Sequence, residues 1–194
     1  MPGDTAWNLR LLPARHPGLS EAKAVGLCAA ACVCLHRHHR SPTTIEMNID
    51  AASTCEHSVT WAAPTVRDHN ANRNAIDATC DGAYAVALMC LEHRLDLVAV
   101  GRAEQGSGAD WYVAPPGCGI DEAGEPNLDD PTILRLEVGG HDHRPSLPYE
   151  LKLKVRQMRV GVSTVPGIAA IIGFKKARVL IQTNVLAGEP ANLG

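Results

Sequence analysis

The sequence predicts an α+β domain (loosely α/β), a mixed central sheet flanked by helices, and three observations lead there. Two long apolar segments, Ser20 to Arg40 and Asn74 to Arg94, are bracketed by capping and stopping residues. Short runs with the alternation or β-branched content of strands lie between and after them. The order from the second segment onward is helix, three strands, helix, then one or two strands. With 194 residues, 45% of them apolar and 20% charged, the chain is sized for one core, so a single domain over residues 1–194 is expected.

Each element has its own warrant. Pro2, Gly3, Pro13, Pro17 and Gly18 make the first nineteen residues an irregular arm. Ser20 supplies an N-cap, with Glu21 and Lys23 in the first turn, for a largely buried helix that Ser41-Pro42 stops. Thr43 to Asp50 and His57 to Trp61 alternate polar and apolar residues and are read as a hairpin. A polar, Asn-rich turn follows, and Asn74 then caps a helix over about 75–94. Leu97 to Val100, Trp111 to Val113 and Thr132 to Val138 are strand candidates. Pro115 to Pro131, rich in Gly, Pro and acids, is a loop. A helix from Leu147 to Met158 precedes two apolar strands, Ile168 to Phe174 and Ala177 to Asn184, and the tail from Ala187 is expected to fray.

Composition excludes several functions. Aromatic residues make up 4% of the chain, which argues against base stacking on an aromatic platform. The formal net charge of -3 gives no global footprint for nucleic acid, so such binding needs a local patch, best supplied by Arg144, Lys152, Lys154 and Arg156. Seven irregularly spaced cysteines suggest free thiols in a reducing cytoplasm. The apolar run from Val25 to Leu35 is too short to span a bilayer, so no membrane partner is expected. No P-loop, dinucleotide fingerprint or nucleophile elbow occurs.

Two acids stand out. Asp110 and Glu137 each lie in a strand-like run, where carboxylates are disfavoured and costly to bury, and a shared cation explains both economically. The alternatives are that Asp110 closes a turn at a strand edge and that Glu137 sits on a solvent face in a cross-strand ion pair. Cys28, Cys32 and His36 share a helix face, with Cys34 and His38 as another helical pair. Without a Cys-x-x-Cys knuckle, the cysteines are better read as core than as zinc ligands. His141-Asp142-His143, after a Gly139-Gly140 turn, either joins the metal of Glu137 or is a polar loop.

Gly106-x-Gly108-x-Asp110, then Leu136-Glu137-Val138, then Lys152-x-Lys154-x-x-Gln157 resembles the PD-(D/E)xK superfamily of restriction-endonuclease-like phosphodiesterases, over about residues 74–185. The chain is also similar to a group of uncharacterised bacterial proteins with Gly-Thr-Gly-x-Asp-Tyr-Trp followed by Arg-Leu-Glu-Val-Ser-Gly. The resemblance implies a restriction-endonuclease-like core, to which residues 20–62 add an N-terminal helix and β-hairpin. It implies a nuclease acting on DNA or RNA with Mg²⁺ or Mn²⁺ held by Asp110 and Glu137. It further implies Asp77 or Asp81 holding an outer-shell water, and a lysine that orients water or neutralises phosphate. A bacterial, cytoplasmic and defence setting comes with the superfamily. The pattern departs at Gly139, where the family's lysine should stand. Lys152, Lys154 or Arg135 can take its place from elsewhere, and otherwise the chain is a non-catalytic binding or assembly protein on the same fold. Residues 20–62 then offer a surface for a homo-oligomer or a protein partner.

Overall fold

The computed structural model describes residues 7–143, 146–160, 163–186 and 188. Along the chain run β1 (Trp7–Asn8), a 3-10 helix (Leu9–Ala14), α1 (Glu21–His36), β2 (Thr43–Ile49), β3 (Ser53–Thr60), α2 (Val66–Ala71) and α3 (Ala75–Leu95). There follow β4 (Val98–Arg102), β5 (Trp111–Ala114), β6 (Leu134–His141), α4 (Leu147–Val160), β7 (Gly167–Gly173) and β8 (Arg178–Val185). The fold is the α+β arrangement expected, with all strands in one mixed sheet of order β1-β3-β2-β8-β7-β6-β5-β4. β4, β5 and β6 form an antiparallel meander, β7 runs parallel to β6, and the β2–β3 hairpin joins through a parallel β2–β8 pairing.

The helix starts follow their caps. The Ser20 hydroxyl accepts from Lys23 N at 3.3 Å, and the Asn74 side chain accepts from Ile76 N at 3.1 Å. The unexpected α2 has a similar device, since Thr65 and Asp68 satisfy each other's backbone N–H groups in a capping box.

Alternation along the strands separates two cores. Leu136, Val138, Ala170 and Ile172 pack with α1 and α3 on one face of the sheet, whereas Ala169, Ile171 and Leu180 pack with α4 on the other. Sandwiched between α1 and the sheet, α3 buries Ala78, Thr79, Gly82, Ala83 and the whole run from Ala85 to Leu91. It lies so close to β6 that a Cβ on Gly140 would stand 2.4 Å from Thr79 O. Gly139 and Gly140 are thus strand residues at a close approach, and the expected turn comes only after His141.

Residues 7–19 of the N-terminal arm are more regular than expected. Trp7 and Asn8 pair in parallel with Val59 and Thr60, and Leu9, Leu12 and Leu19 are buried. His16 Nδ1 accepts the Ala99 N–H at 3.0 Å and Ala99 O accepts from Gly18 N at 2.8 Å, so the arm covers part of the outer strand β4. Much of the apolar surface of α1 offered by the sequence to a partner is buried inside the chain, including Leu27, Val33 and Leu35. No helix among the described residues is long and apolar enough to cross a membrane. The expected frayed tail from Ala187, apart from Gly188, and Arg144 lie outside the described residues.

Candidate active site

The meander sets Asp110 against Glu137. Trp111 pairs with Leu136, and Asp110 N donates to Leu136 O at 2.8 Å, so Asp110 sits one step beyond β5, beside Glu137. There its carboxylate bridges to the neighbouring strand, not across its own turn, because Oδ2 accepts the Val138 N–H at 2.9 Å. Oδ1 accepts from the Tyr84 hydroxyl at 2.7 Å. Tyr84 comes from α3, and burial together with this bond raises its phenol pKa.

Glu137 occupies the sheet face under α4 and is only 4% exposed. The solvent-face alternative is therefore not what the structure has. Burial, followed by the nearby Asp110 charge, pushes the Glu137 carboxyl above the ordinary carboxylate range, against a downward pull from Lys154. Lys154 Nζ donates to Glu137 Oε1 at 2.6 Å. The lysine side chain passes over Gly139: a Cβ there would lie 3.2 Å from Lys154 Cε and 2.6 Å from Ile171 Cδ1.

Helix rotation decides which lysine reaches the acids. Leu151, Val155 and Met158 pack toward the sheet, which leaves Glu150, Lys154 and Gln157 on one flank and Lys152 and Arg156 on the other. Lys152 is exposed about 200° around the helix from Lys154, so it does not join the acids, and Arg156 shares its flank. Arg135, the third candidate, is 0% exposed and holds two backbone carbonyls, Val165 O at 2.8 Å and Ser107 O at 2.9 Å. It is a structural clamp. The carboxylates proposed for an outer shell turn to other partners: Asp81 to Lys23 at 3.2 Å, and Asp77 to Asn74 Nδ2 at 2.7 Å.

An open cleft of about 590 Å³ lies before the acids, lined by Arg102, Gly106, Asp110, Glu137 and Gln157 among others. Arg102, half exposed, stands at its mouth. Its guanidinium lies 4.7 Å from the Tyr84 ring centre and 4.8 Å from that of Trp111, and Nη2 is 3.6 Å from Asp110 Oδ1. Sequence reading passed over Arg102 and Tyr84. The pairing of Arg102 with Trp111 is visible only once the β4–β5 register is known.

The cysteines behave as core. Cys28 Sγ donates to Leu9 O at 2.9 Å and Cys34 Sγ to Ala78 O at 3.3 Å. Burial pushes the Cys28 thiol up to about 12 and the Cys32 and Cys34 thiols up to about 11, away from the thiolate a metal needs. Among the described residues, one group of three His, Cys, Asp or Glu side chains converges closely enough to hold a metal ion: His38, Asp142 and His143, with ligand atoms within 4.8 Å of one another. It joins the residue run after α1 to the turn after β6, and Glu137 is not part of it. No family model, curated protein or solved structure matches the chain.

Proposed function

We propose that this chain is a metal-dependent phosphodiesterase acting on nucleic acid in a bacterial cytoplasm. The observation that carries the reading is the pair of Asp110 and Glu137 lining one open cleft, with Lys154 bonded to Glu137. Two carboxylates close together in a partly buried site raise each other's cost of ionisation, with Lys154 beside Glu137 and the half-exposed Arg102 beside Asp110 as counter-charges, and an ion held by both acids would offset that cost. The element order of helix, three-stranded meander, helix and parallel strand also supports it.

The donor set suits a hard ion, with Asp110 and Glu137 as the residues that would hold Mg²⁺ or Mn²⁺. Such an ion supplies Lewis-acid polarisation of a phosphate and a more acidic bound water. The chain's own residues do the positioning. Tyr84 and the Val138 N–H fix the Asp110 carboxylate through one hydrogen bond to each oxygen. Lys154 holds one Glu137 oxygen and supplies a positive charge beside that carboxylate. Arg102, backed by two rings, offers its fork to a phosphate entering the cleft.

The test is cleavage of single- and double-stranded DNA and RNA with Mg²⁺ or Mn²⁺, using wild type, Asp110→Asn and Glu137→Gln. Wild type should cleave at least one substrate, a chelator should stop it, and both variants should lose at least 100-fold while keeping their circular dichroism. Cleavage that survives either variant or the chelator overturns the reading. The second reading, a non-catalytic binding or assembly protein, draws on the structural hydrogen bonds of Asp110 and on the different residue at position 139. It expects no cleavage by wild type and a less stable Asp110→Asn variant.

A further inference from the structure

We infer that His38, Asp142 and His143 form a binding site for a borderline transition-metal ion of the Zn²⁺ class, fastening the end of α1 to the turn after β6. The inference is independent of the carboxylate cleft and of the activity proposed there. Two histidine-rich runs meet at this corner, and their members divide by partner. His39 Nε2 lies 2.7 Å from Phe174 O, and His141 Nε2 lies 3.4 Å from Glu150. His38 and His143 instead converge on one carboxylate: His38 Nε2 is 2.9 Å from Asp142 Oδ1, and His143 Nε2 is 3.8 Å from Asp142 Oδ2.

These separations suit a metal. Ligands about 2.0–2.2 Å from a tetrahedral ion stand roughly 3.3–3.6 Å from one another, so shifts of a few tenths of an ångström to about an ångström bring the three atoms into place. Two imidazoles and one carboxylate select a borderline ion over Mg²⁺ or Ca²⁺, which take oxygen shells. A neighbouring cleft of about 280 Å³, lined by Asp142, His143 and Lys175, leaves room for water as a fourth ligand. His38 and Asp142 are 104 residues apart in sequence, so an ion there closes a long loop and should stabilise the folded chain.

Arg37 tempers the site. Its Nη1 donates to Asp142 Oδ2 at 3.1 Å, which orients the carboxylate but places a positive charge beside the ion. Removing that charge while keeping a donor should therefore tighten binding.

The experiment uses the full, metal-stripped chain. Zn²⁺ and Mg²⁺ are titrated by calorimetry, Co²⁺ is followed by visible absorption, and melting is recorded with and without Zn²⁺. One Zn²⁺ per chain, a four-coordinate Co²⁺ spectrum and a higher melting temperature are expected. His38→Ala and His143→Ala should each weaken Zn²⁺ at least tenfold, Arg37→Gln should tighten it several-fold, and Glu137→Gln should leave it unchanged. His143 is largely exposed, so its replacement keeps the fold and the test readable. Unchanged Zn²⁺ affinity in both histidine variants, or its loss in Glu137→Gln, overturns the inference.

Discussion

Replacing Lys154 with Met keeps the stem that passes over Gly139 and removes only the ammonium. At 2.6 Å from Glu137 Oε1, the gross attraction is about 6 kcal/mol at an effective dielectric constant near 20. Breaking a buried pair from one side typically costs about 3–5 kcal/mol, because the remaining charge stays desolvated. The Lys154 side chain is 26% exposed, so solvent screening reduces the expected loss to about 2–3 kcal/mol. In a chain of this size that is roughly 5–10 °C in melting temperature.

The pH dependence fixes the cause. The Glu137 carboxyl is already raised above its ordinary value of 4.5 in the folded state, so its contribution to stability is full below that value. It fades as pH climbs through the folded-state pKa. Without Lys154 the folded-state pKa rises further. The two proteins should melt close together at pH 5 and diverge toward pH 8, where Mn²⁺ should recover more stability in Lys154→Met than in wild type. Melting followed by circular dichroism at several pH values reads this directly. Equal melting temperatures at pH 8, or a gap as wide at pH 5, would refute the charge balance argued for the cleft.

Two further substitutions probe how the cleft is held. Gly140→Ala would put a methyl 2.4 Å from Thr79 O and 2.7 Å from Ala83 Cβ, on a helix pinned between α1 and the sheet; urea unfolding should show a loss of about 1–3 kcal/mol, and a change below about 0.5 kcal/mol would contradict the close packing. Tyr84→Phe removes the hydroxyl from Asp110 Oδ1 and should weaken Mn²⁺ binding at the cleft by about 10-fold or more, measured by calorimetry with Zn²⁺ binding as an internal reference; an unchanged Mn²⁺ affinity would mean that Tyr84 does not position Asp110.

Much of the fold was legible because caps and periodicity are local signals. Ser20 and Asn74 begin their helices in the structure as they do in the sequence, and the β2–β3 hairpin and the β4–β5–β6 meander follow from alternation and apolar runs. What escaped depends on distant partners. Trp7 and Asn8 are a strand only because β3 lies beside them, and the joining of β2 to β8 has no local signature. α2 hid in a polar, Asn-rich stretch although Thr65 and Asp68 stood at capping distance. In the site, the acids were legible as carboxylates out of place, whereas choosing Lys154 over Lys152 needed the rotation of α4. That rotation was available in outline from Leu151, Val155 and Met158.

The departure at Gly139 and the position of Lys154 are one feature when considered as space. Glu137 and Gly139 lie two residues apart on β6 and share the face under α4. Any side chain at 139 would begin 2.6 Å from Ile171 Cδ1, in the channel that the Lys154 stem now fills. Under the proposed reading an ammonium is needed beside Glu137, and two routes lead there: outward along the strand from position 139, or down from the helix. The Ile171 methyl crowds the first, and an absent Cβ leaves the second clear. A Cβ at 139 would stand 3.2 Å from Lys154 Cε and crowd its stem, so glycine there leaves clear the path by which the ammonium reaches Glu137. What electrostatics requires is a charge at a point in space, whatever its place in the sequence. The missing motif lysine therefore weighs less against catalysis than its absence from the local pattern suggests.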